Sequence, residues 1–593
     1  MIATDYKLIT SAEELRVAAE ELSKHAAIGF DCETTSLDPY NGRLRLIQFA
    51  APDGVRIIDM DRFQGIDPAR SDEFKPLREL LTAQRPVKIA HNTKFDAKWI
   101  KHVLGVEVAP VFDTLLASQI ISAGDLEERQ GLDAVAARFL NETIDKAERL
   151  SDWSAELTES QLEYAARDAM VLPPLREKMI DRLKADALLR CAQLEFECVI
   201  PIASLELAGI FLDKHRWREQ LVVVERRREA LAKELQEVLA EESSQFSLFG
   251  GPVREEINLD SHVQLTKALK RLGVPVPDST RNWKLQPLAN NYPVVKTLLE
   301  YRTVQKALTS YGENILEEIN PATGRIHADF RQIGAPTGRM ACNSPNIQQV
   351  PHSIEYRRCF RAPEGRKLVI ADYSQVELRI LAEFTNDKGF IDAFNSGADL
   401  HCATAAQVFN VPLDQVTPDQ RSTAKRLNFG VVYGIGAQRF AMLTGMKQTE
   451  AEDVLRRYFA TYRQLDAWLR EAAMRAVRDR MTRTASGRIA RFRFDPEDKQ
   501  AMSLAQRNGK NAPIQGSSAD ICKRALRLLH DKLQGTTAKI VNVIHDEIVV
   551  EADAGQAEEI ARRVEDAMCA AGEEYLKKVP VKVETEVADE WVK

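Results

Sequence analysis

The sequence predicts a multidomain α/β (α+β) chain, on three observations. At 593 residues it is too long for one hydrophobic core, so roughly two to four domains are expected. Its N-terminal part alternates strand and helix signals. Its C-terminal part holds two short apolar runs, at residues 367–371 and 539–544, separated by a mostly helical insertion over about residues 378–515.

In chain order, strands are predicted at 27–32, 43–50, 55–60 and 87–91, with helices at 94–103 and 159–183, an α/β pattern. Residues 193–239 read as long and helical. The stretch ESSQFSLFGGP, 242–252, predicts an exposed loop. Helices resume over about 261–318.

Apolar residues make up 44% and charged residues 28%, ordinary values that exclude bulk disorder. No apolar run approaches a membrane span, and the start MIATDYKLITSAEEL lacks a basic segment followed by an apolar one. The eight cysteines show no zinc-like spacing, which predicts reduced thiols. The expected setting is the cytoplasm of a bacterial or phage-infected cell, with an organelle also open. The net charge of −7 is a weak guide, because a local basic stripe is what meets a polyanion. Between Arg470 and Arg493 eight arginines face only Glu471 and Asp479, which reads either as a solvated helix face or as a phosphate-binding stripe.

Two sets of carboxylates carry the chemistry. In Asp31-Cys32-Glu33-Thr34 the two acids, two apart on a strand, point the same way. Like charges that close need a cation to offset them. Asn92-Thr93-Lys94-Phe95-Asp96 follows another strand and opens a helix. Tyr164 and Asp168 share one helical face, with Thr158 as N-cap. In the second set, the buried strand 368–371 delivers Asp372-Tyr373-Ser374-Gln375 and then a helix with Glu377. The strand 539–544 reaches His545-Asp546-Glu547 and returns as a hairpin with acids at its turn. Between them a helix with Thr417 as N-cap and Pro418 at its first position carries Arg421, Lys425, Phe429 and Tyr433 at a spacing of four, one slowly winding stripe. The stripe reads either as a solvated basic face with buried aromatics or as a nucleoside triphosphate site, with cations for phosphates and rings for a base.

The ordered set DxE, NxxFD and YxxxD resembles the exonuclease motifs of the DnaQ-like, ribonuclease-H-like superfamily. The resemblance implies 3′→5′ exonuclease chemistry, with Asp31, Glu33, Asp96 and Asp168 holding two divalent ions and Tyr164 orienting the attacking water. The segments VIADYSQVELR, RSTAKRLNFGVVYG and VIHDE, with TGRMACNSPNIQQVP, DLHCATAAQVF and KNAPIQG in the expected order, resemble the family A (DNA polymerase I type) polymerases over nearly the whole chain.

That second resemblance implies a right-hand polymerase of palm, fingers and thumb following the exonuclease domain. The expected division is 1–190 exonuclease and 191–593 polymerase, with the thumb at about 214–300, the palm at about 301–378 and 516–593, and the fingers at about 379–515. Asp372, Asp546 and the Tyr373 carbonyl would hold two Mg2+ ions, with Glu547 in support; Mn2+ could substitute at either site. Gln375, His401, Arg421, Lys425, Phe429 and Tyr433 would contact the incoming dNTP, and Glu377 would exclude a ribose 2′-OH. Phenylalanine at 429, rather than tyrosine, implies discrimination against dideoxynucleotides. Arg339, Gln348, Arg507, Asn511, Gln515 and His545 match positions that touch primer–template DNA, where donors meet acceptors common to every correct base pair. The expected state is a monomer with no 5′-nuclease domain, and a processivity factor, its identity unknown, could meet the 242–252 loop.

Overall fold

The structure is a computed structural model that describes residues 5–592 apart from 124, 126, 145–147, 149–150, 247–251, 278 and 352. The N-terminal part is built on one mixed six-stranded sheet. Its order is Tyr6–Ile9, Gly54–Asp59, Leu44–Ala51, Ala27–Thr34, Val87–Ala90, Val111–Asp113. The strand Ala27–Thr34 lies inside the sheet, antiparallel to Leu44–Ala51 and parallel to Val87–Ala90. It runs two residues beyond the expected end, so Glu33 is a strand residue. Alternation divides its side chains. Ile28, Phe30 and Cys32 enter the main core with Trp99 and Leu172, and the odd-numbered face meets a helix that carries Tyr164.

The helix expected at 159–183 is two helices, Glu159–Met170 and Leu172–Ala185. Pro173 and Pro174 lack backbone N–H donors, so they fit the first turn of a new helix rather than the middle of an old one. The long helical stretch at 193–239 is likewise divided. Helix Leu189–Ala208 stops at Gly209, whose φ of +59° and close approach to His327 require glycine, and Asp213 caps the next helix, Lys214–Leu239. The segment expected to be a loop, 242–252, is strand at both ends: Glu241–Phe246 pairs antiparallel with Pro252–Glu255. Its middle, 247–251, lies outside the described residues.

Helix Lys214–Leu239 packs through Leu231, Leu235 and Leu239 against helices His262–Arg271 and Pro293–Ser310, which gives this region its own apolar core. Next comes a four-stranded antiparallel sheet, ordered Lys539–Ile544, Glu547–Asp553, Arg366–Tyr373, Val583–Ala588. Helices Lys499–Leu533 and Ala557–Glu573 pack with it in the largest core. Between the strands the predicted insertion is present as successive helices, from Val376–Thr385 to Arg463–Arg478. Helix Lys499–Leu533 runs unbroken through 515/516, so the boundary expected there falls inside one element. No described helix is long and apolar enough to cross a membrane.

Candidate active sites

The first site forms where helix Glu159–Met170 lies on strand Ala27–Thr34. The helix begins with a capping box, in which Thr158 and Gln161 bond each other's backbone N–H groups. Its close approach depends on Gly29, where a Cβ would sit 2.4 Å from the Ala169 carbonyl oxygen. Gly29, Asp31 and Glu33 share one strand face. The two carboxylates therefore meet Tyr164 and Asp168, which are four apart on the helix.

Asp96 joins them from the first turn of helix Thr93–Leu104. That helix is entered through Asn92, at φ +66°, and is fixed by Asp113, which sequence reasoning missed. The Asp113 carboxylate accepts the Thr93 backbone N–H at 2.7 Å and caps the following helix through Leu115 and Leu116. An aspartate between a strand and a helix is an N-cap signal, and it could have been found.

Burial pushes the carboxyls of Asp31, Glu33 and Asp96 above their usual range. For Asp31 the next causes are Asp96, Glu33 and Asp168, and for Glu33 they are Asp168 and Asp96. Burial and then Asp168, to which it hydrogen-bonds, also raise the Tyr164 hydroxyl. Asp96 Oδ1 is buried with no hydrogen-bond partner. Among the described residues no three such side chains converge into a finished metal cage. They form instead a group of carboxylates with overlapping fields, which a divalent cation would relieve. The cleft over them measures about 690 Å³, and its far wall is supplied by residues 329–334 of the C-terminal part. Lys94 crosses to that wall, with Nζ 2.6 Å from both Glu206 and Asp329.

The second site lies at the end of the four-stranded sheet. Register places Asp372 opposite Glu547 on one side and Glu584 on the other. Asp546 occupies the turn between Lys539–Ile544 and Glu547–Asp553, after His545 at φ +56°. Its carboxyl is pushed up to about 7, first by burial and then by Asp372. The Tyr373 hydroxyl is anchored behind the sheet, donating to the Met568 carbonyl at 2.6 Å. Glu547 is buried and accepts the Trp591 indole N–H at 2.8 Å.

Helix Pro418–Val432, with the expected Thr417 capping box and Pro418 in its first turn, ends at Tyr433, whose hydroxyl reaches Glu377 near these acids. Arg421 and Lys425 are exposed and Phe429 is half-buried. Tyr433 is the helix C-cap rather than a residue within the helix. Arg421 pairs with Asp399 at 2.7 Å. His401 lies beside Phe429, their ring centres 5.9 Å apart, and meets Asn428 at 3.1 Å. Burial lowers the His401 pKa to about 4, so the ring is neutral near pH 7. Glu377 accepts from Arg339 at 2.6 Å and from the Tyr433 hydroxyl at 3.1 Å, and Gln515 also bonds Tyr433.

Arg339, Gln348 and His545 line one small cavity beside Cys522, and Gln348 donates to the Val543 carbonyl at 2.9 Å. The Arg507 stem lies next to Gly434. Gln375 Oε1 and Asn511 Oδ1 are buried without hydrogen-bond partners. Arg339, Gln348, His545, Glu377 and Tyr433, far apart in sequence, thus gather near the end of this sheet.

A family model described as DNA polymerase family A matches residues 225–593, and one described as 3′-5′ exonuclease matches residues 6–184. The chain belongs to DNA polymerase family A. It carries a 3′→5′ exonuclease domain ahead of the polymerase domain. DNA polymerase I of Aquifex aeolicus is 31% identical, over 99% of this chain and 100% of that relative. DNA polymerase I of Pseudomonas aeruginosa is also 31% identical, over 99% of this chain and 66% of the relative. The chain therefore spans just under two thirds of the Pseudomonas protein. A solved structure of the POL domain of Pol1 from M. smegmatis, in complex with DNA primer-template and dNTP, matches with a TM-score of 0.83 and 26% identity over 99% of both chains.

The arginine stripe of this polymerase is a different matter. Arg488 is 3% exposed and bonded to Glu195 and Asp520, so it is closed to phosphate. Arg470, Arg475 and Arg478 pair with Asp466, Glu471 and Asp479, and Arg493 pairs with Asp125 of the exonuclease domain. Strands Met481–Arg483 and Ile489–Arg491 form a hairpin that packs onto that domain, which divides the stripe between local pairs and a domain seam.

Proposed function

We propose that the two sites perform opposed reactions on one primer 3′ end. The cleft over Asp372 and Asp546 adds deoxynucleotides directed by a template, and the cleft over Asp31 and Glu33 removes misplaced ones. The observation that carries this reading is the convergence of Asp372, Asp546 and Glu377, with Glu377 bonded to Tyr433 at the end of the helix that presents Arg421 and Lys425. We assign residues 1–190 to the exonuclease and 191–593 to the polymerase. The separate apolar core around Leu235 and Leu269 supports a thumb at about 214–300. The palm is then about 301–378 and 516–593, and the fingers about 379–515.

Asp372, Asp546 and the Tyr373 carbonyl would hold two Mg2+ ions, and Asp31, Glu33, Asp96 and Asp168 another two. The raised Asp546 carboxyl and the unpartnered Asp96 oxygen fit cation binding. When bound, such ions neutralise phosphate charge and activate the attacking oxygen. The chain's own residues supply position. Lys425 and Arg421 would hold the triphosphate, Arg421 after release from Asp399, and neutral His401 would donate a hydrogen bond to it. In the editing cleft the Tyr164 hydroxyl, tied to Asp168, orients the attacking water. Pocket discrimination alone is limited, which is why a second site is useful, and one chain keeps a frayed end near it.

One labelled primer–template with Mg2+ tests the reading. Extension is expected with dNTPs and 3′ shortening without them; absence of both would overturn it.

Two substitutions probe nucleotide choice. Glu377 is held between Arg339 and Tyr433, where it would crowd a 2′-OH. Glu377→Ala should raise the ratio of rNTP to dNTP incorporation efficiency by about tenfold or more in single-turnover assays. Phe429 offers no hydroxyl near the sugar, so a nucleotide without its own 3′-OH is expected to be used poorly. Phe429→Tyr should improve dideoxynucleotide use on the order of a hundredfold, read as the ddNTP/dNTP efficiency ratio.

A further inference from the structure

A group of buried charges takes no part in either reaction. Glu195, Asp520 and Lys523 are fully buried and Arg488 is 3% exposed, yet they are more than 290 residues apart at the extremes. Two cations and two anions without water are costly unless their hydrogen bonds are complete. Here they are nearly so. Glu195 accepts from both Arg488 and Lys523, and Arg488 also donates to Asp520 at 3.0 Å. Burial works against the Glu195 charge, but Lys523 and Arg488 outweigh it and hold its carboxyl below the usual range.

What this cluster grips is a hairpin. Strand Asp329–Arg331 pairs with Ala341–Asn343, and the loop between closes through Gly334 N–H to the Arg339 carbonyl at 2.9 Å. At one end, Gln332, Ile333 and Gly334 wall the exonuclease cleft. At the other, Arg339 reaches Glu377. The cluster holds both ends. Glu195 accepts the Gln332 amide N–H at 2.8 Å, and Lys523 donates to the Gly338 carbonyl at 2.7 Å. Gly338 has φ +84°, and a Cβ there would lie 2.4 Å from Arg488 Nε. Gln332 and Gly338, six residues apart, rest on Glu195 and Lys523, which bond each other.

We propose that Glu195, Arg488, Asp520 and Lys523 are positioning residues that set this hairpin for both active sites at once, so that a shift at either end is felt at the other. The proposal rests on the synthesis and editing assignments above. It is tested by reading each disturbance at the opposite site. Gly338→Ala, which lines neither cleft, should raise the KM for 3′ degradation of single-stranded DNA about fivefold. Gln332→Leu, placed in an Asp31→Ala/Glu33→Ala background so that editing does not erase the product, should lower the dNTP/rNTP efficiency ratio about fivefold. Lys523→Met should do both, and Lys523→Arg should restore much of each.

A role in folding alone would change the amount of active protein, which alters neither a KM nor an efficiency ratio. Should Gln332→Leu fail to fold, Gln332→Asn shortens the same contact by one methylene and is read the same way. An unchanged KM in Gly338→Ala, an unchanged ratio in the Gln332 variants, or an effect confined to one end would each overturn the proposal. Failure of the underlying assignments would show separately, as absence of extension or of degradation in the wild-type chain.

Discussion

Asp31→Ala combined with Glu33→Ala should abolish 3′ degradation and leave primer extension near the wild-type rate. Both side chains leave one strand face, opposite Asp168 and beside Asp96, and their carboxyls are raised by burial first and then by these same neighbours. A group of acids that raises its own pKa values binds cations well and stands empty at a cost. Removing two of its four members removes most of the field that would attract divalent ions. Loss of several kcal/mol of transition-state stabilisation slows the reaction about a thousandfold or more. Degradation of an end-labelled single strand, without dNTPs, measures it. Extension is read on a matched primer with dNTPs in excess. Equal loss of both activities would mean that the two sites are not separate. The same electrostatics give a second expectation: in EDTA the double variant should melt no lower than the parent, because the substitution relieves repulsion among buried carboxylates.

Much of this was readable from the chain, and the failures have physical causes. Apolar runs marked the strands that carry Asp31 and Asp372, because a strand buried on both faces must be apolar throughout. Thr417-Pro418 located the helix that carries Arg421 and Lys425, since both residues act locally. The breaks at Pro173 and at Gly209 were also local signals, and a periodic apolar pattern continuing on either side hid them. Asp113 offered an N-cap signal for the helix after it, but its bond to the Thr93 N–H, which fixes the backbone before Asp96, shows only in the fold. The closeness of helix and strand at Gly29 is likewise a property of packing. The arginines at 470–493 were read two ways; the solvated helix face holds for Arg470, Arg475 and Arg478, while Arg488 fits neither reading. Charge density in a sequence suggests a polyanion partner, but Arg488 finds Glu195 and Asp520 instead, and no local pattern could have paired residues 293 positions apart. The polymerase-side wall of the editing cleft, residues 329–334, was invisible for the same reason: it is an exonuclease feature made by the other domain.

Asp546→Asn should have the opposite effect, abolishing extension while single-stranded DNA is still degraded from its 3′ end. The amide keeps the size of the side chain and removes only its charge. The turn itself is held by backbone, including the Tyr373 N–H to the Asp546 carbonyl at 3.4 Å, so the substitution leaves the sheet end in place. Burial, and then Asp372, push the Asp546 carboxyl to about 7, and a neutral group here suits the metal-free fold at least as well as the acid does. Catalysis is another matter, because the reacting phosphates bring further negative charge to a site that needs cations to receive them. With one of two carboxylates gone, extension should fall by about a thousandfold or more, measured in a single turnover with saturating Mg2+ and the next correct dNTP. Extension at a tenth of the wild-type rate or better would remove Asp546 from the chemistry. Asp546→Asn leaves the editing carboxylates untouched, and Asp31→Ala with Glu33→Ala leaves Asp372 and Asp546 untouched. The two variants together therefore separate two chemistries that share a domain seam but no charged ligand.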